Sequence, residues 1–572
     1  MRLQRTKLYK DVPPYRTVNN ARTLLEKCDI FMTEKLMHSC ESDTYMCKVW
    51  IADEDIFDIG LGTYGKGVSP RYALASAYGE IMERIPHLVI FPNDTSRFLY
   101  TNYPSKMLEE DKEKIKEMNI NLDYRFFPDE KWLTINEAIK ESEKYIQEIY
   151  PDIICEKKET EIFYSEFAIG GLVPCVPFYD YFEERTVYIP IQMIYTSSAT
   201  NGMSAGNDAI EAIIEGMSEI YERYATHEVY FNNIPVPSIP EEYFEGHEVL
   251  TKLRNMRKKG YDFDILDFSC GKGLPVIALK LIRLSDGAMV IRPGSDPSPI
   301  TALERCLTEI YQTRLNRSVD FRFRKQAIKI PTEMSGKEEL IKFYENYDSL
   351  IHSCEGDWPD NIHTYNKNPG FNGFDHSVSD SNASDFRYMV SIAKQLNKRI
   401  LIRDCSFLGF PSYYTVIPGM SGVYLDKGQE SIYVTPPAMD RVAAIMCKIP
   451  TATLGDVKEL KSYFLKEDKR KYTKIIPASF IPFGVPLLKQ TLDIKEFIKS
   501  LDEHINYLET GSGKTIFTKE CWPICYNCNE CKFSNNCKQL EMGKRIKSIF
   551  EQFKNNIPSQ SKEMFNRKMF KE

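Results

Sequence analysis

An α+β fold is what this sequence predicts. Three observations carry the prediction: strand-like apolar runs alternate with helical patterns, two Ala-rich helices repeat one acidic motif, and composition shifts to Lys-rich helices near residue 440. A chain of 572 residues exceeds one ordinary core and divides into domains. We expect an N-terminal segment over 1–58, a large domain of repeated helix and sheet units over 59–440, and a small Cys-rich helical region over 441–572.

Taken in order, a glycine-rich turn over 60–70 leads into a helix over 71–85, and the charged stretch 109–116 reads as an exposed helix. Apolar runs over 187–195 and 276–291 read as strands, and helical patterns follow over 208–224 and 300–314. The Asn-, Gly-, Ser- and Asp-rich stretch 357–385 reads as a loop, before a helix over 387–395 and a strand over 400–403. An apolar run over 413–424 closes the large domain, and a last amphipathic helix is expected over 540–554.

Hydrophobic content of 42% and charge of 27% are those of a globular chain without low-complexity tracts. The formal net charge of −7 argues against a general nucleic-acid binder, which needs a basic face for phosphates. The first dozen residues lack the apolar centre of a signal peptide, and no run of about 18 apolar residues could span a bilayer. The expectation is a cytoplasmic protein with no membrane partner.

The chemistry concentrates on three helices. On the first, Ser76, Glu80, Glu83 and Arg84 share a face beside an apolar stripe of Leu74, Ala77, Ile81, Ile85 and Leu88. On the second, Asn207, Glu211, Glu215, Ser218, Glu219 and Glu222 fall within about a third of the circumference, beside Ile210, Ile213, Ile214, Met217 and Tyr221. Each like-charge pair one turn apart costs about 0.2–0.5 kcal/mol, and no Lys is interspersed to offset it. A cation belongs there, and Mg²⁺ takes one or two carboxylates together with substrate phosphates. Arg84 and Arg223, each next to the last acid of its helix, suit phosphate oxygens.

A lone Glu-x-x-Glu reads most simply as a solvated face. Here Glu80-Ile81-Met82-Glu83-Arg84 and Glu219-Ile220-Tyr221-Glu222-Arg223 repeat one pattern on two helices, which points to internal duplication. A third helix adds Thr301, Thr308, Glu309, Gln312 and Arg314 beside Ala302, Leu303, Cys306 and Leu307. The turn before the first helix approaches two phosphate-binding fingerprints, through Gly60-x-Gly62-x-x-Gly65 and Gly60-x4-Gly65-Lys66, but Gly67 replaces the Ser/Thr of a P-loop. Ser69 as N-cap and Pro70 at N1 also start the helix too late for either motif, leaving Lys66 within reach of a phosphate or simply a turn between strand and helix. Isolated histidines such as His87 and His227 read as ordinary residues near helices.

Together these segments resemble the YcaO family: Gly65-Lys66-Gly67 before Ser76-x3-Glu80-x2-Glu83-Arg84; Asn201-Gly202 with Ser204-x2-Asn207-x3-Glu211-x7-Glu219-x2-Glu222-Arg223; and Ala302-Leu303-x5-Glu309-x2-Gln312-x-Arg314. Phe410-Pro411 and Pro418-Gly419-Met420-Ser421 resemble the close of that family's domain. The resemblance runs over roughly 60–425 and implies a YcaO-type ATP-binding catalytic domain. It implies Mg²⁺ or phosphate positions at Glu80, Glu83, Glu211, Glu219 and Glu222, and nucleotide contacts at Ser204, Asn207, Arg223 and Gln312. On the same motifs, Lys66, Ser76, Arg84 and Arg314 go with ATP and Glu309 with the metal.

The reaction implied is ATP-dependent phosphorylation of a peptide amide oxygen, opening the amide to a side-chain or external nucleophile and giving an azoline, thioamide or amidine. No catalytic side chain is assigned, since phosphoryl transfer needs positioning and charge neutralisation more than a protein nucleophile. Two departures stand out. Tyr224 occupies the position where the family commonly has Asp, altering the site's edge, and the chain ends Asn566-Arg567-Lys568-Met569-Phe570-Lys571-Glu572 rather than in the proline-rich tail of azoline-forming members. The nucleophile therefore stays open.

Of fifteen cysteines, Cys521, Cys525, Cys528, Cys531 and Cys537 cluster with spacings that let thiolates wrap one metal. Bound Zn²⁺ is expected first and an iron–sulfur cluster second. The expected partners are a peptide substrate, a separate leader-peptide-binding or sulfur-delivery protein, and a second copy in a homodimer. The alternatives are a non-catalytic scaffold, against which the intact acids argue, and an accessory factor for sulfur modification of a ribosomal protein.

Overall fold

The computed structural model describes residues 4–5, 12–52, 62–89, 127–151, 157–168, 172–232, 234, 236–312, 319–325, 327–331, 336–353, 356–359, 362, 370–376, 378–422, 445, 449, 452–467, 494–515, 517, 548–563 and 566. The helix expected at 109–116 and the cysteine cluster at 521–537 lie outside the described residues. Of the last expected helix, 548–555 is described and is helical.

Helix α1 (Pro14–Glu26) precedes an antiparallel three-stranded sheet of β1 (Met32–Ser39), β2 (Thr44–Ile51) and β3 (Gly62–Gly67), which runs directly into α2 (Pro70–Arg84). A central sheet begins with β4 (Lys131–Thr134), β5 (Leu172–Asp180), β6 (Arg185–Pro190) and β7 (Met203–Ala205), and leads to the long helix α3 (Ala209–Phe231). A third sheet follows, β8 (Tyr261–Asp267), β9 (Val276–Arg283) and β10 (Met289–Ser295), then α4 (Pro299–Tyr311). Helix α5 (Asn382–Gln395) returns the chain to the central sheet as β11 (Leu401–Asp404) and β12 (Ser412–Val416). The central order is β4-β5-β11-β12-β7, with β6 on β5.

Local signals fix where the three long helices start. Ser69 accepts from the Tyr72 amide with Pro70 at N1, and Asp208 accepts from the Glu211 amide at 2.8 Å. Ser298 caps α4, with Pro299 behind it. Apart from Leu74, which is only partly buried, the predicted apolar stripes are buried: Ala77 and Ile81 on α2 with Ile85 and Leu88 just past its end, Ile210, Ile213, Ile214, Met217 and Tyr221 on α3, and Ala302, Leu303, Cys306 and Leu307 on α4.

Each of these helices bridges two sheets. Helix α2 lies on β2 and β3 and reaches β7; α3 lies on β7 and β12 and reaches β9 and β10; α4 lies on β9 and β10 and reaches β2 and β3. The faces left between them carry the polar residues singled out above. The final helix packs Ile549, Phe550 and Phe553 into the same core as α1 and α2, with Phe553 against Phe407 at 5.2 Å between rings.

Three sequence expectations change. The glycine-rich stretch is a strand over 62–67 rather than a turn, because α2 folds back onto it so closely that a β-carbon on Gly65 would strike the Ala73 carbonyl and the Ala77 backbone, and one on Gly67 would sit 2.7 Å from the Ala73 amide. The apolar run 276–291 is two strands, reversed where Gly287 takes φ +71° and Asp286 receives the Arg283 guanidinium at 2.9 and 3.0 Å. The run 187–195 is a strand only to Pro190, after which Ile191–Ser198 is helical. Short apolar runs do not distinguish the two.

The glycine requirement is testable. Gly65→Ala should lower the denaturant midpoint by the equivalent of about 1–3 kcal/mol with little change in slope, since the clash is with backbone that cannot swing aside.

Candidate functional site

Helices α2 and α3 bring their acids face to face. The charge of Glu83 on α2 is felt against Glu80 on its own helix and against Glu219 and Glu215 on α3. Burial pushes the Glu83 carboxyl well above the usual range; adjacent Arg84 opposes the shift and the other three acids add to it. Glu219 is raised as well, again by burial first, against the pull of Arg223, Arg84 and the Gly202 amide and with the push of Glu222. These carboxylates line a recess, with the Glu83 side chain 15% exposed and that of Glu219 33%.

The repeated Glu-Arg motifs work alike. Arg84 lies 3.4 Å from both Glu80 and Glu83, and Arg223 lies 3.7 Å from Glu219. Arg223 also donates to the Ile351 carbonyl. Gly202, at φ +89°, lets the β7 approach pass under α3, where its carbonyl would stand 2.7 Å from a β-carbon on Gly216, and its amide donates to Glu219 at 3.1 Å. A substituent at either glycine would separate the strand from the acid row.

The remaining predicted residues take different places. Asn207 donates to both Glu211 oxygens at 3.1 and 3.2 Å and accepts from the Thr17 hydroxyl at 2.7 Å, which ties α1 to the start of α3. Ser204 is fully buried and its hydroxyl donates to the Tyr413 carbonyl at 3.4 Å, whereas Ser76 is exposed on α2. Lys66 on β3 pairs with Glu309 on α4, and Arg292 stands 3.4 Å from the same carboxylate. Gln312 donates to the Tyr64 carbonyl at 2.7 Å, tying the end of α4 to β3 beside Lys66. Glu222 acts through its charge on Glu219 and on Arg305. Arg314 lies outside the described residues.

Tyr224 does not edge the acid row. Two residues past Glu222, it points about 200° away round the helix, where its hydroxyl receives Lys272 at 3.0 Å. His87 is enclosed, its Nδ1 2.7 Å from the Glu83 backbone carbonyl one turn back, and burial lowers its pKa to about 3.

Sequence reasoning passed over Arg305 and Arg292. Arg305 donates to both oxygens of Glu215, one bond being 2.5 Å, and lies 3.4 Å from Asp296. It stands one turn from both Thr301 and Glu309, so the helical spacing that picked out those residues also marks it.

The donor set suits a divalent cation with a polyphosphate. Glu80, Glu83, Glu211, Glu215, Glu219, Glu222 and Glu309 outnumber the cleft cations Lys66, Arg84, Arg223, Arg292 and Arg305, and two of the acids are held where ionisation is costly. Hard carboxylate oxygens are Mg²⁺ ligands. Among the described residues no three His, Cys, Asp or Glu side chains already converge as a metal cluster.

Because the folded Glu83 carboxyl titrates above its unfolded value, the native state binds the extra proton between those two pKa values and loses stability as pH rises through them. Glu83→Gln should therefore melt higher than wild type at neutral pH, with the difference vanishing as pH falls to about 4.5, as paired thermal melts would show.

Residues 64–421 match the family described as YcaO cyclodehydratase, ATP- and Mg²⁺-binding. An uncharacterised Haemophilus influenzae protein is 24% identical over 367 residues, covering 63% of this chain and 57% of its own length. The Escherichia coli ribosomal protein S12 methylthiotransferase accessory factor YcaO is 25% identical over 372 residues, covering 63% and 58%. The chain thus spans less than two thirds of the length of these curated relatives. Among solved structures, YcaO from Methanopyrus kandleri bound with AMPPCP and Mg²⁺ overlays with a TM-score of 0.41 at 16% identity, covering 72% of this chain and 92% of that one. A heterocyclase in complex with substrate and cofactor gives 0.43 at 18% identity, covering 76% and 56%. The family match covers more than half of the sequence and includes all three acidic helices: the chain belongs to the YcaO family.

Proposed function

We propose that this chain is an ATP- and Mg²⁺-dependent enzyme that activates a peptide backbone amide at its oxygen, so that a nucleophile can replace that oxygen. The observation that carries the reading is the meeting of Glu83 and Glu219, two partly buried carboxylates from duplicated motifs, each flanked by its own arginine. Glu80, Glu83, Glu211, Glu219, Glu222 and Glu309 would hold Mg²⁺. Lys66, Ser76, Arg84, Ser204, Asn207, Arg223, Gln312 and Arg314 would hold the nucleotide, Ser204 by fixing the strand beneath it. Bound there, Mg-ATP supplies a phosphoryl group that turns the amide oxygen into a phosphate leaving group.

The protein's share is electrostatic. Arginines from two helices neutralise phosphate charge, paired acids fix the metal, and the packing of α2, α3 and α4 across three sheets keeps these groups from reorganising. We assign no side chain as nucleophile or base. The substrate is a peptide, the partner is a separate leader-peptide-binding or sulfur-delivery protein, and the chain pairs as a homodimer. The division at 58 and 440 separates the catalytic domain from a C-terminal region whose cysteines 521–537 hold Zn²⁺ or an iron–sulfur cluster. No described helix is long and apolar enough to cross a membrane, and we place the work in the cytoplasm.

The name of the Escherichia coli relative favours a second reading, an accessory role in sulfur modification of a ribosomal protein. The products separate the two: exchange of amide oxygen for sulfur supports sulfur chemistry, and loss of water supports cyclisation.

Calorimetric titration of ATP with Mg²⁺ into wild type and Glu222→Ala tests the site without the peptide. Micromolar binding that weakens at least about tenfold in the variant, roughly 1.4 kcal/mol, is expected. Folded wild type that binds no nucleotide would sink the enzymatic reading.

A further inference from the structure

In the cleft, the phosphate-seeking cations already have anionic partners. Lys66 is paired with Glu309, Arg84 with Glu80 and Glu83, Arg223 with Glu219, and Arg305 with Glu215. The Glu215–Arg305 pair differs in kind from the two Glu-Arg motifs. It joins separate helices, α3 and α4, and its two parallel bonds engage both carboxylate oxygens. With the Arg305 side chain 24% and that of Glu215 32% exposed, the pair is partly shielded from solvent, and loss of Glu215 would leave the guanidinium poorly compensated. Asp296 offers a weaker contact at 3.4 Å and is committed through its other oxygen to the Ser298 amide at 2.9 Å. Glu215 is therefore the main counter-charge of Arg305.

A polyanion entering such a cleft finds its cations taken. It gains them by displacing carboxylates, and the carboxylates released need a cation in turn. Glu215 stands where its charge is already felt by Glu83, so once freed from Arg305 it would add to the acids facing a metal.

We propose that Glu215 is a place-holder anion: it holds Arg305 until nucleotide binds and then exchanges it for phosphate, so that metal and nucleotide bind as coupled partners. The inference rests on the nucleotide reading above and assigns to Glu215 a role distinct from that of a metal ligand. A metal ligand would be missed when removed. A place-holder competes with phosphate, and its removal helps.

The test titrates ATP, in EDTA and separately in excess Mg²⁺, into full-length wild type, Glu215→Gln and Glu215→Asp, with a thermal melt of each as the folding control. Glu215→Gln should bind metal-free ATP about fivefold or more tightly than wild type and gain less from Mg²⁺. Where wild type shows no measurable metal-free binding, measurable binding by the variant is the expected result. Glu215→Asp keeps the charge but draws it back by one methylene, and should show a smaller gain in the same direction; it decides the matter if the Gln variant fails to fold. Equal or weaker metal-free binding by the folded variants overturns the place-holder role while leaving the nucleotide site intact. Absence of binding by wild type in both conditions overturns the nucleotide reading itself.

Discussion

Crowded carboxylates are the constraint around which this fold is arranged. A single face of α3 carries four glutamates, α2 presents two more to it, and burial holds Glu83 and Glu219 where ionisation is costly. A protein selected for stability alone would not keep them, since like charges on one helical face repel and desolvation adds to the cost. Each acid is answered by something nearby: Arg84, Arg223, Arg305, the Asn207 amide or the Gly202 amide. The compensation is local, drawn from neighbouring arginines and amides.

Holding those charges together needs rigid supports that approach closely. Each long helix crosses from one sheet to another, so no two of them shift independently. Glycines allow the closest approaches, Gly65 under α2 and Gly202 under Gly216 of α3. Polar struts then fix the ends: Gln312 to the Tyr64 carbonyl, Asn207 between Glu211 and Thr17, and Arg322 on the Glu309, Ile310 and Gln312 carbonyls at the end of α4. Function and stability meet in the same residues.

How much of this was legible beforehand depended on whether the signal was local. The acid row of α3 and the stripe beside it follow from helical period, and the Ser69 cap follows from hydrogen-bonding chemistry within four residues. Pairings across elements left no such trace. Lys66 with Glu309 and Glu215 with Arg305 join residues far apart in sequence, so the same lysine read alone fitted a turn as well as a phosphate contact. The strand at 62–67 was hidden because glycine disfavours strands, and what recommends it here is a helix that folds back from the following segment. Ser204 stands out in its motif by sequence, yet its hydroxyl is spent on the Tyr413 carbonyl, a bond that only the sheet register reveals.

Whether the acids of α2 and α3 form a metal and nucleotide site can be decided by anomalous diffraction from Mn²⁺, in crystals of the full chain grown with a non-hydrolysable ATP analogue. A metal peak between the Glu83 and Glu219 carboxylates, with phosphate density beside Arg84 and Arg223, is expected. Manganese bound elsewhere, or a nucleotide seated away from these helices, would contradict that assignment.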